Sequence, residues 1–88
     1  MKYRSRTDIV SQILDAANGG ATKTKIMYKA YLSYAQLKEY LAVLTENGLL
    51  GYEEEDHEFK TTDKGLKFLK AYHHMDALSG PLTTQMPE

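Results

Sequence analysis

Only two residues, Leu32 and Ser33, separate one helical pattern from the next in this 88-residue chain. Before them, Ile26 and Ala30 share a face with Met27 and Tyr31 alongside, and Thr22 or Thr24 can cap that short helix, which runs to roughly Tyr31. After them, Ser33-Tyr34-Ala35-Gln36 is an N-cap with glutamine at the capping-box position. Leu37, Leu41 and Leu44 then recur at i, i+4, i+7 with Tyr40 at the margin, and Asn47-Gly48 closes the helix. So short a break makes two helices pack at a steep angle, which leaves few folds open.

The flanking segments narrow the choice further. In residues 7–18, Ile9, Ile13 and Ala16 form one stripe and Val10, Leu14 and Ala17 a second, a face wide enough to pack on two sides. Ser5 with Asp8 resembles a capping box at its start, and Asn18-Gly19-Gly20 supplies left-handed residues at its end. Ala21 to Thr24 suits a short extended piece. Past Gly48, the stretch GYEEEDHEFK (residues 51–60) alternates on both sides of Asp56-His57, a hairpin signature. Pairing Glu54 with Phe59 puts Leu50, Tyr52, Phe59 and Thr61 on one face and Glu53 opposite Lys60 on the other. Asp-His lacks the glycine that a two-residue turn prefers, and a four-residue loop is expected to keep the same register. Thr61-Thr62-Asp63 caps a fourth helix to about Leu78, with Leu66, Leu69, Tyr72 and His73 along one side and Phe68 and Met75 close by. Residues 79–88, with two prolines and no apolar period, are expected to be a disordered tail.

Helix, short helix, tight turn, capped helix, hairpin, helix is the order of a winged helix-turn-helix domain, an α+β fold that is mostly α. It has a three-helix core, a β-hairpin wing and a C-terminal helix. The length allows one domain, residues 7–78, preceded by a basic arm at residues 1–6. Four spaced segments also carry a family resemblance: Thr24 to Ala30, Leu32 to Leu37, Tyr40-Leu41 to Gly48-Leu49-Leu50, and Thr61-Thr62-Asp63-Lys64-Gly65. Together they resemble the small archaeal single-domain winged-helix proteins, a group of transcriptional regulators and chromatin-associated proteins. The resemblance spans residues 7 to about 78. It implies DNA binding with helix 34–47 as the recognition helix and, in some relatives, dimerisation through an extended C-terminal helix. Two features depart from that pattern: the hairpin tip, often basic in winged-helix DNA binders, is acidic, and the fourth helix is short for a long coiled coil.

The net charge of −1 conceals a lopsided distribution. Residues 1–45 carry seven bases against three acids, a net +4, whereas residues 46–88 carry four bases against nine acids, a net −5. Such asymmetry suits a polyanion partner for the first half. The chain has no cysteine, which excludes disulfides and thiolate zinc sites and fits a cytoplasmic setting. No apolar run approaches the roughly 18 residues of a membrane span, and MKYRSRTD lacks the apolar block of a signal peptide.

With Leu37, Leu41 and Leu44 inward, the third helix presents Ala35, Lys38, Glu39 and Ala42 outward, with Ser33 and Tyr34 at its exposed start. Small residues at 35 and 42 let a helix settle into a groove, and Lys38 can reach a guanine edge or a phosphate. Glu39 can accept from cytosine, and the helix start offers N–H groups to phosphates. Lys23 and Lys25 join this set from the preceding helix. Lys2, Arg4 and Arg6 alternate, so an extended arm would direct them alike, into a minor groove or along phosphates, unless the terminus is simply frayed. Tyr28, Tyr31 and Tyr34 recur every third residue and are expected to form an amphipathic rim on the core rather than a stacking platform. Val10 and Leu14 with Leu66, Phe68, Leu69, Tyr72 and Met75 offer more apolar surface than so small a domain can cover, which points to a homodimer.

Catalysis finds little support. His73 and His74 are adjacent on a helix and diverge by about 100°, so they cannot chelate one metal together, and His57 sits alone among acids. No nucleophile triad or phosphate loop is visible, and neither a cofactor nor a metal is expected. The sequence therefore supports a transcriptional regulator that binds double-stranded DNA. A winged helix used only for protein contacts, with the acidic wing meeting a basic protein partner, is the alternative.

Overall fold

The computed structural model describes residues 4–85, with side chains through residue 75. Its elements run α1 (Arg6–Ala17), α2 (Lys23–Lys29), α3 (Tyr34–Glu46), β1 (Leu50–Glu53), β2 (Glu58–Thr61) and α4 (Asp63–Gln85). Ser5 caps α1 and Ser33 caps α3, each in a complete capping box, and Thr22 caps α2. Both apolar faces close on one core, in which Ile13, Leu14, Ile26, Leu37 and Leu50 are the largest fully buried side chains. No helix is long and apolar enough to cross a membrane among the described residues.

Two helices end in the same way with different residues. At the end of α3, Leu49 N–H donates to Leu44 O (2.9 Å) and Gly48 N–H to Thr45 O (3.1 Å), with Gly48 at φ 78°. At the end of α2, Leu32 N–H donates to Met27 O (3.1 Å) and Tyr31 N–H to Tyr28 O (3.3 Å), with Tyr31 at φ 54°. Both are Schellman closures, and glycine is the usual occupant of the left-handed position. The short helix therefore stops at Lys29, and Tyr31 belongs to the turn rather than to the helix.

The wing differs from its expected pairing. Tyr52 pairs with Phe59, Gly51 with Lys60, and Glu53 with Glu58, so β1 is shifted by two residues from the Glu54–Phe59 register. A four-residue loop, Glu54 to His57, closes the hairpin through His57 N–H donating to Glu54 O (3.3 Å), with His57 at φ 53°. Because the shift is even, Leu50, Tyr52, Phe59 and Thr61 still share one face. Glu53, however, now opposes Glu58 rather than Lys60. Ala21 adds a third strand position, exchanging two backbone hydrogen bonds with Phe59 (2.9 and 2.8 Å).

α4 also departs from expectation. Its backbone is helical to Gln85 rather than ending near Leu78, so residues 79–85 are not an irregular tail; residues 86–88 lie outside the described residues. Proline removes one donor and strains one turn, which need not end a helix. The expected stripe of Leu66, Leu69, Tyr72 and His73 is also split. Gly65 and Leu69 face the core with Phe68 and Tyr72 half-buried, while Leu66 and His73 are exposed, and His73 Nε2 lies 3.9 Å from Asp15 Oδ2. Leu14 and Leu69 belong to the core, which withdraws them from the expected dimer surface.

Candidate nucleic-acid interface

Because Leu37, Leu41 and Leu44 turn α3 onto the core, its opposite side is left open: Tyr34, Ala35, Lys38, Glu39 and Ala42 line one shallow groove along it. All five are exposed, as are Ser33, Lys23 and Lys25. α2 brings Lys23 up to the start of α3, where its Nζ lies 5.5 Å from the centre of the Tyr34 ring, and Lys38 Nζ approaches the same ring at 5.9 Å. Two ammonium groups and an aromatic ring thus converge at the start of α3. Cation–π attraction holds long lysine stems near a rigid ring, at a strength of about 0.5–1 kcal/mol in exposed sites.

The N-terminal bases are placed differently from an arm. Arg4 is half-buried, and its guanidinium donates to Ala30 O, to Tyr31 O (2.9 Å) and to Gln12 Oε1 (2.5 Å). It satisfies carbonyls left over at the end of α2, which fastens the start of the chain to the turn before α3. Arg6 is the first residue of α1, with its guanidinium carbon 5.9 Å from the Tyr40 ring centre. The extended arm with like-facing side chains is therefore corrected for these two residues, and Lys2 lies outside the described residues. Nothing in the sequence marked Arg4 as a cap, because its acceptors lie 26 and 27 positions away.

The wing stands beside this cluster. Tyr52, His57 and Phe59 share a hollow with Lys23, the Tyr52 and Phe59 rings lie 4.9 Å apart, and Tyr52 Oη is 3.1 Å from His57 Nδ1. The carboxylates of Glu53, Glu54, Glu55 and Asp56 are all exposed. Tyr28 and Tyr31 are 70% and 79% exposed, so they are not an amphipathic rim on the core. Between α1 and α4, Asp8 accepts from the Tyr72 hydroxyl (2.5 Å) and from Ser5 N–H (3.0 Å). These bonds, the Tyr72 hydroxyl first, hold its carboxyl below the usual carboxylate range.

This arrangement defines a class of protein: three helices, a helix-turn-helix with an exposed second helix, and a hairpin wing. Residues 3–80 match the winged helix-turn-helix family, and the chain belongs to it. Its fold is similar to the crystal structure of Sso10a-2, a DNA-binding protein from Sulfolobus solfataricus, with a TM-score of 0.82 at 21% identity, covering 96% of this chain and 90% of that one. No curated protein matches the sequence.

Proposed function

We propose that this protein binds double-stranded DNA with α3 in the major groove, as a homodimeric, non-catalytic transcriptional regulator of the cytoplasm. The observation that carries this reading is the convergence of Lys23, Tyr34 and Lys38 at the start of α3, beside small residues at Ala35 and Ala42. Lysines meet phosphates or guanine, and alanines allow close approach to base edges. The DNA-binding character of Sso10a-2 supports the same reading.

Dimerisation rests on α4. Phe68, Ala71, Tyr72 and Met75 line an open, largely apolar groove against Ser5, Thr7 and Asp8, and Met75 is 66% exposed and Leu66 39%. Val10 belongs to a different hollow, with Arg6, Tyr40 and Val43 between α1 and α3. A two-fold dimer would offer two recognition helices to half-sites about one DNA turn apart. Sedimentation at tens of micromolar checks this part, with a monomer alone counting against it.

Fluorescence anisotropy with a labelled random duplex tests the DNA reading. Tyr34→Ala and Lys38→Ala are each expected to weaken binding, Lys38 by roughly 1–3 kcal/mol if it meets guanine. Unchanged affinity in both would remove α3 from the interface. Absence of any duplex binding, with capture of a basic protein by the wing, would favour the protein-contact alternative.

A further inference from the structure

Tyr28 and Tyr31 are large, exposed and unexplained by the stability of the chain. Neither hydroxyl has a partner among the described residues. Tyr28 points away from the core, because buried Ile26 in α2 and buried Ala30 at its C-cap lie on the opposite side of a 3.6-residue helix. Tyr31 occupies a left-handed position, φ 54°, where glycine closes the equivalent turn after α3. A tyrosine there strains the backbone and buries nothing in return. The conformation is held by the backbone bonds of Tyr31 and Leu32 that close the turn and by Arg4, which bonds the carbonyls of Ala30 and Tyr31. Strain held in place by its surroundings points to a role outside the chain.

The charge nearby indicates what that role serves. No acidic residue occurs between Asp15 and Glu39, and four lysines do. Lys25, exposed and three positions before Tyr28, shares its side of α2. We propose that Tyr28 and Tyr31 form a stacking platform for unpaired nucleobases of single-stranded nucleic acid, with Lys25 meeting the backbone phosphate. Bases within a duplex do not present their faces, and a phosphate contact would use a hydroxyl without needing two exposed rings. Neither ring lines the α3 groove, whereas Lys25 also belongs to the set expected to meet a duplex, so the two tyrosines alone distinguish the platform from the duplex reading.

The test measures binding of an oligothymidylate of about twelve nucleotides, a length within single-strand site sizes, to the full chain by quenching of tyrosine fluorescence and by anisotropy. Both positions are exposed, so the variants keep the fold, checked by circular dichroism. The double variant Tyr28→Ala/Tyr31→Ala is expected to bind the strand at least about tenfold more weakly, and Tyr28→Phe/Tyr31→Phe to stay within about threefold of the parent. Duplex affinity is expected to change less than about threefold in both. Four outcomes would overturn the proposal: no binding of the strand by the parent chain, unchanged binding in the alanine variant, an equal loss in the phenylalanine variant, or an equal loss on duplex.

Discussion

Asp8 serves two ends of the molecule at once. Its carboxylate completes the α1 capping box with Ser5 and accepts from Tyr72 on α4. A carboxyl whose folded pKa lies below its unfolded value of about 3.9 contributes stability that is present above that value and fades as pH falls through the folded pKa. Asp8 is shifted in that direction, chiefly by the Tyr72 hydroxyl. Tyr72→Phe should therefore lessen the acid-dependent part of stability, so that the urea midpoints of parent and variant converge as pH falls from about 5 to about 2. A gap that stays constant with pH would show that the bond to Asp8 is not its source. The capping pair Ser5 and Asp8 was legible in the sequence because capping is local. The bond to Tyr72, 64 positions away, was not, and neither was Thr61 Oγ1 donating to the buried Leu14 carbonyl at 2.6 Å.

Elements were legible where the signal was periodic or capped, as in α1 and α3, whose caps and buried leucines lie where the spacing put them. Turns governed by residues other than glycine were not: Tyr31 and His57 are both left-handed, and each moved a boundary or register. The side of α4 that meets the core was not legible because a buried glycine leaves no apolar signal. Gly65 is buried, and a Cβ there would collide with the Leu49 carbonyl oxygen and lie 2.6 Å from Thr61 Cγ2. Gly65→Ala should destabilise the fold by about 1–3 kcal/mol even though alanine is the better helix former. Denaturant unfolding would show this as a lowered midpoint, whereas a raised midpoint would mean that α4 can withdraw from the wing without loss. In the wing itself, Glu53 opposes Glu58, and like charges at that position weaken a hairpin. The acidic hairpin therefore costs some stability locally.

At the scale of the whole molecule, the acidic wing and the basic start of α3 stand side by side, sharing the hollow at Lys23. Carboxylates within a Debye length of about 8 Å of phosphates oppose binding, and each contributes on the order of a few tenths of a kcal/mol through water. Replacing Glu53, Glu54 and Glu55 together with glutamine should thus strengthen duplex binding severalfold at low salt, with the gain shrinking as salt rises. A loss of affinity in that variant would instead make the wing a DNA contact. The charge asymmetry behind this prediction was legible from the sequence, but the proximity of Lys23 to both Tyr34 and the wing required the packing of α2. The most direct test of the account is the salt dependence of duplex affinity, measured for the parent chain and for Lys38→Ala. The account predicts that log K falls steeply and linearly with log salt, and that removing Lys38 as a phosphate contact lowers the slope by about one. Affinity insensitive to salt, or an unchanged slope and affinity in Lys38→Ala, would contradict it.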